Sequence, residues 1–308
     1  MKPKILFIGD LNFYSKGASR LKSCRRLGYS TYAITHTPIG GEKHGFIVRS
    51  LFFRLCWKLN LHLDTEKVNR AIINAVRLTT YNILWIEKGN MINPKTLQKV
   101  REISPQTILI SYSDDDMFNS LNHTKSYVKS LNYYHIVFTT KSHNLKPSEL
   151  KKLGANKVIM VDKAFDTEQH FPMKITKEEV KVFGADVGFI GSYAPERKDI
   201  LEFLALNGIN VRVWGNGWED QHADLPNLKL EKRPLVNKPQ SLDYTKAIIA
   251  TKINIGFLRK INRDLQTDRS VEIPACGGFL LAERSVEHER LFNEGKEAVY
   301  FDTKKELL

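Results

Sequence analysis

DRSVEIPACGGFLLAE, residues 268–283, is the stretch whose reading decides the fold. Asp268, Arg269 and Glu272 lead into a Pro-Ala-Cys-Gly-Gly turn, and the turn leads into a short apolar strand at 279–282. A stretch that only filled a core would not need three charges so close together. In an α/β protein this places Arg269, Glu272 and the glycine pair Gly277-Gly278 at the mouth of a parallel sheet. Ligands of open sheets bind there, outside the carboxyl ends of strands and beside helix N-termini.

Outward from this segment, short apolar runs alternate with helically spaced ones. Within it, 270–275 reads as a short helical turn, and after it come a helix at 286–292 and a strand at 298–301. Before it come a strand at 186–190, a helix at 196–206 stopped by Asn207-Gly208, a strand at 210–214, a helix at 244–251 and a strand at 253–258. The chain begins the same way, with strand Lys4–Gly9, a helix at 17–27 ended by Gly28, and strand Ser30–Thr35. A helix at 66–78 carries Val68, Ile72, Ile73 and Val76 on one side. Strands at 82–86, 107–112, 136–139 and 157–161 follow, with helices at 94–103 and 147–153 between them. This alternation predicts two α/β domains with parallel sheets. Residues 166–185 lose the rhythm, are lysine-rich and contain His170, Pro172 and Gly184, so they read as a linker. The expected domains are therefore 1–165 and 186–308. Thr303 and Glu306 form a capping-box pattern where the chain stops, which reads as a domain lacking its final helix.

The 308 residues exceed one ordinary core. The net charge of +13 favours anionic partners, among them phosphorylated ligands and an anionic membrane face. Cys24, Cys56 and Cys276 are too scattered for a disulfide framework or a zinc site, which points to a reducing cytoplasm. The opening residues are no signal peptide, and no run reaches the ~20 apolar residues of a membrane span. The chain is expected to be soluble or peripheral to the inner face of a membrane. Residues 49–62, RSLFFRLCWKLNLH, alternate bulky apolar and basic side chains. They fit either a helix packed on the domain or one resting on anionic lipid. The basic region 141–181 carries no nucleic-acid-binding motif, so no nucleic-acid partner is expected.

Several constellations carry chemistry. Asp264 and Glu272 have an acid-x7-acid spacing that can turn two carboxylates toward sugar or ribose hydroxyls; the plainer reading is two surface acids. Arg269 can meet a diphosphate or simply pair with Asp268. Gly191-Ser192 and Arg197 bracket a strand-to-helix turn whose N–H groups and cation can cradle phosphate. Gly215 lies in Trp214-Gly-Asn-Gly-Trp218, where the indoles either stack on a base or close a core. In the first half, Asp114 and Asp116 can hold Mg²⁺ or Mn²⁺, or one of Asp114, Asp115 and Asp116 acts as general base, or the run caps the next segment. Neither a dinucleotide fingerprint nor a P-loop is present.

Three of these stretches also carry a resemblance: Arg269-x2-Glu272-Ile-Pro-Ala-Cys-Gly-Gly, Asp186-Val-Gly-Phe-Ile-Gly-Ser192 and Tyr112-Ser-Asp-Asp-Asp116. With Trp85-Ile-Glu-Lys-Gly89 and Phe138-Thr-Thr-Lys141, they resemble the CgeB-like (spore maturation protein) glycosyltransferases of the group 1 superfamily, over nearly the whole chain. The resemblance implies a GT-B fold, two Rossmann-like parallel-sheet domains facing across a cleft. It implies a nucleoside-diphosphate-sugar donor on the C-terminal domain and a glycan, lipid or protein acceptor on the N-terminal one. No catalytic metal or other cofactor is required. Carried over, Glu272 holds the ribose hydroxyls, and Arg269 and Arg197 meet the diphosphate. Asp264 stands where the related E-x7-E pattern has its first Glu, near the donor sugar, and a shared acid pair implies retention. Two other readings stand beside this one: a metal-dependent GT-A-type transferase using Asp114 and Asp116, and a non-catalytic nucleotide- or sugar-binding module.

Overall fold

Each of two units, Met1–Asp162 and Lys163–Leu308, is built around one parallel sheet. The computed structural model describes the chain apart from residues 1, 40–41, 44–45, 48–50, 60, 223 and 239. Among the described residues, no helix is long and apolar enough to cross a membrane.

In unit one the strands are β1 (Lys4–Gly9), β2 (Ser30–Thr35), β3 (Ile83–Glu87), β4 (Ile108–Ser113), β5 (Ile136–Thr139) and β6 (Val158–Met160). Their order is β2-β1-β3-β4-β5-β6. Central parallel strands are covered on both faces, which explains why β1, KILFIG, is continuously apolar and buried after Lys4. The helices are α1 (Lys16–Arg26), α2 (Leu51–Lys58), α3 (Val68–Leu78), α4 (Pro94–Ile103) and α5 (Lys125–Ser130). Side-chain oxygens of Ser15, Asn93 and Thr124 cap α1, α4 and α5. Leu6, Ile8, Ile72, Val76, Leu84, Ile86, Leu97 and Leu109 interlock as one core between sheet and helices. Burial of each such side chain contributes roughly 1.5–3 kcal/mol. The helix expected at 147–153 is a single wide turn, Pro147–Lys151, with Glu149 outside helical geometry.

Unit two contains β7 (Ala185–Ile190), β8 (Val211–Trp214), β9 (Leu228–Glu231), β10 (Thr251–Gly256), β11 (Leu280–Glu283) and β12 (Val299–Phe301). The order is β9-β8-β7-β10-β11-β12. It reverses between β7 and β10, and such a switch point opens a crevice at the carboxyl ends of the two strands. Helices α6 (Lys177–Phe183), α7 (Pro195–Leu206), α8 (Asp243–Ala250), α9 (Asp268–Ala275) and α10 (Val286–Leu291) flank the sheet.

Three expectations change here. The segment read as a linker, 166–185, lies within unit two and contains α6. A full capping box of Thr176 and Glu179 starts α6, and Lys246 of α8 pairs with Glu179 at 2.6 Å. Next, the helical turn expected at 270–275 begins two residues earlier, at Asp268, so Arg269 is helical as well as Glu272. Finally, Gly277 and Gly278 follow the carboxyl end of α9 and feed the amino end of β11. They therefore lie at the amino edge of the sheet, opposite the switch-point crevice. Gly277 takes a left-handed φ of 77° and, with Gly278, closes the helix by donating to the Pro274 and Ile273 carbonyls. A Cβ on Gly278 would sit 2.7 Å from Ile248 Cγ2, so close packing accounts for this glycine.

Candidate functional site

The loops that leave β7 and β10 flank the switch point of unit two, and a buried cation joins them. Arg197 stands in the first turn of α7, after Pro195 has set the helix start. It is 9 % exposed. Its guanidinium donates to the Ser192 carbonyl at 2.8 Å and to the Leu258 carbonyl at 3.5 Å, and lies over the Phe189 ring. Its Nε is buried without a hydrogen-bond partner among the described residues. Burial depresses its pKa, and repulsion from Arg269 lowers it further, beyond what Glu196 and Glu283 restore. Such a group is complementary to an incoming anion.

Arg269, on the first turn of α9, is half-buried. Burial opposes its charge, but Tyr244, Asp268, Glu272 and Asp264 outweigh that and hold its pKa above the ordinary arginine range. Asp264 and Glu272 thus both act electrostatically on Arg269. Asp264 follows a tight turn in which Arg263 adopts a left-handed φ of 46°, and Asn262 Nδ2 donates to its Oδ1 at 2.8 Å. Thr267 and Ser270 cap α9 reciprocally, leaving the helix N-terminus beside these residues.

Glu272 lies one turn further in and is 3 % exposed. The Tyr244 hydroxyl donates to its Oε2 at 2.5 Å, and burial followed by this carboxylate drives the Tyr244 pKa well up. His170 Nε2 stands 3.7 Å from Glu272 Oε1. Because the Asp166 N–H donates to His170 Nδ1 at 3.2 Å, the neutral ring carries its proton on Nε2, facing Glu272. The same segment reaches α9 through Lys163, whose Nζ is 3.4 Å from Asp268 and whose N–H donates to Gln266 at 3.0 Å. It reaches α8 through the Gln169 carbonyl, which accepts from Thr245 at 2.5 Å. His170 was read only as part of a linker, and Lys163 and Tyr244 were not singled out from sequence. A histidine among lysines and a tyrosine on an apolar helix carry no spacing signal; only the fold sets them beside Glu272.

Gly191 and Gly215 act through each other. A Cβ on Gly215 would stand 1.9 Å from the Gly191 carbonyl oxygen, and Gly215 has φ 150°. The Gly191 N–H donates to the Trp214 carbonyl at 2.8 Å, and Trp218 Nε1 donates to the Gly191 carbonyl at 2.9 Å. Gly215 therefore shapes the Gly191-Ser192 loop from behind. Trp214 and Trp218 are buried core side chains, not a stacking platform for a base.

Unit one gathers a second polar cluster at the carboxyl ends of β3 and β4. Arg20 of α1 forks onto Glu87, with Nε to Oε1 at 2.8 Å and Nη2 to Oε2 at 2.6 Å, and Nη2 also meets Asp114 Oδ2 at 2.8 Å. The guanidinium lies 4.2 Å from the centre of the Tyr112 ring, whose hydroxyl donates to Asp114 at 3.0 Å. Burial weakens this cation, but Glu87 and Asp114 outweigh it and hold Arg20 protonated. Asp115 pairs with Lys88 at 2.6 Å, and Lys88 has a left-handed φ of 59°. Asp116 is fully buried and accepts from the Phe118 N–H and from Asn144 Nδ2 at 2.9 Å. The metal-pair reading of Asp114 and Asp116 is overturned: one carboxylate is held by Arg20 and the other is sealed in the core. Among the described residues no three His, Cys, Asp or Glu side chains gather as a metal site.

Comparison with known proteins agrees with this fold. Residues 197–308 match the model of a family described as "Glycosyl transferase-like". No curated protein sequence matches. Sucrose-phosphate synthase from Thermosynechococcus elongatus is similar in structure, with TM-score 0.60 and 9% identity over 100% of this chain and 88% of that one. So is an alpha-glucosyltransferase solved with UDP-glucose and DNA containing an abasic site, with TM-score 0.55 and 12% identity over 92% and 80%. The N-terminal domain of Candida albicans trehalose-6-phosphate phosphatase gives TM-score 0.59 and 9% identity over 98% and 86%. Two Rossmann-like units, each with six parallel strands, make this an α/β protein of the GT-B fold.

Proposed function

We propose that this protein is a glycosyltransferase of the group 1 type, CgeB-like, that moves a sugar from a nucleoside-diphosphate donor to a glycan, lipid or protein acceptor. The observation that carries the reading is the buried Arg197 guanidinium at the unit-two switch point, within electrostatic reach of Arg269 and aimed across the loops after β7 and β10. Sugar transfer leaves a diphosphate whose charge grows as the glycosidic bond breaks. Fixed cations and the α9 N-terminus stabilise that charge without a metal ion. Glu272, braced by Tyr244, takes the ribose hydroxyls. Asp264 serves the donor sugar in a retaining reaction. Asp114 and Asp115, each paired with a cation in unit one, serve the acceptor side. The three free cysteines fit a cytoplasmic site of action.

The test is release of nucleoside diphosphate from UDP-, GDP-, ADP- and TDP-sugars by the purified chain. Release from one donor, falling about 100-fold or more in Arg269→Met, supports the reading. Donor binding without hydrolysis or transfer to any acceptor would turn it into a binding module, and no binding of any donor would overturn it.

A further inference from the structure

We propose that α2 is a membrane-docking element that seats unit one on an anionic lipid surface. Leu51, Phe52 and Leu55 of this helix, and Leu59 just beyond it, are between 55 and 80 % exposed. The Leu59 N–H donates to the Leu55 carbonyl at 3.0 Å, which continues the helical turn. At 3.6 residues per turn these four side chains share an arc of about 100°. Arg54 and Lys58, also exposed, flank one side of that arc, and Cys56, turned into unit one, lies beyond the other. A surface helix of a water-facing domain does the reverse, with its apolar stripe inward and its charges outward. A single exposed leucine is ordinary, whereas an outward row of four with a basic border marks a contact surface. Arg49, Ser50 and Asn60, part of the stretch read as basic and apolar, lie outside the described residues.

Charge selects the occupant. Residues 1–162 contain 25 Lys and Arg against 11 Asp and Glu, a formal +14. Residues 163–308 contain 22 against 23, a formal −1. The whole positive excess therefore sits in the unit that carries α2. An anionic bilayer satisfies both features at once: leucine and phenylalanine enter the acyl boundary while Arg54 and Lys58 stay among the headgroups. A second copy of this chain would set like charge against like. Nucleic acid offers phosphates but no apolar layer for the row of leucines.

Vesicle co-sedimentation of the full chain tests this without any sugar donor, so its outcome is independent of the transferase reading. Phosphatidylcholine vesicles carrying phosphatidylglycerol should capture the protein, pure phosphatidylcholine vesicles should not, and added salt should weaken capture. Phe52→Glu with Leu55→Glu should reduce partitioning at least about tenfold, and Arg54→Ala and Lys58→Ala about fivefold each. All four side chains are exposed, so unchanged thermal midpoints should show the variants to be folded. Absence of capture overturns the proposal. So does capture that ignores the Phe52/Leu55 variant, or a concentration-dependent dimer in size-exclusion chromatography that the same variant abolishes.

Discussion

At Arg20 one side chain holds two carboxylates, and the sequence offered no sign of it. Glu87 and Asp114 lie 67 and 94 residues away along the chain. Removing the fork strands Glu87 in the core, so Arg20→Ala should cost about 3–5 kcal/mol, measured by urea denaturation. Arg20→Lys should recover only part of that, because an ammonium cannot fork onto Glu87. Full recovery by lysine would mean that charge alone matters there. Gly215 makes the opposite point. Its position after a strand drew attention to it, but the reason for glycine is contact with the Gly191 carbonyl rather than with a ligand. Gly215→Ala should destabilise unit two by about 3 kcal/mol through overpacking and backbone strain. A neutral substitution would show that the two loops can part. Glu272, Arg269 and Arg197 stood out as candidates because charged residues beside glycine turns contrast with apolar strands. Tyr244 and His170 were not, since only packing makes them partners of Glu272.

Helix α9 shows what an element adds to its residues. Read as a string, residues 268–283 put charges and glycines together at one mouth. Read as a helix antiparallel to its strands, they separate: Arg269 and Glu272 stay near the carboxyl edge of the sheet, and Gly277-Gly278 leave for the other. The charge cluster keeps its place beside the proposed donor site, while the glycines are a helix stop. Helix α10 supports α9 through His288, which Ser285 places by capping the helix. His288 Nδ1 faces the Glu283 carbonyl at 2.7 Å, so it carries the proton, and Nε2 accepts from the Ser270 hydroxyl at 2.6 Å. Burial lowers the His288 pKa below 6.5, against the pull of the Glu283 carbonyl and of Glu287. A lowered histidine pKa means that the unfolded chain binds the proton more readily than the native one. Stability is then complete above the unfolded pKa of about 6.5 and declines as pH falls below it toward the native value. The thermal midpoint should drop between pH 7 and pH 5.5, and His288→Gln should flatten that part of the slope. Equal slopes would remove His288 from the account.

Over the whole molecule, two sheets of the same kind carry different charge and different chemistry. Alternating apolar runs and helical spacing made both sheets readable in the sequence, because buried parallel strands have to be continuously apolar. Two pieces escaped. Strand β9, LKLE, is a short edge strand with two charges and carries little apolar signal. The segment from Lys163 to α6 looked like a connector because its order comes from hydrogen bonds to α8 and α9 rather than from a pattern of its own. That segment closes around the acid that the donor reading depends on. The central claim is that unit two binds a nucleoside diphosphate through Arg197, Arg269 and Glu272. Titration calorimetry of UDP, GDP, ADP and TDP into the full chain tests it most directly. One of the four should bind, and at 100 times its Kd it should add about 2.7 kcal/mol of stability. Arg269→Met and Glu272→Gln, each still folded, should lower the affinity at least about tenfold. No binding of any of the four, or binding that both variants leave unchanged, would contradict the claim.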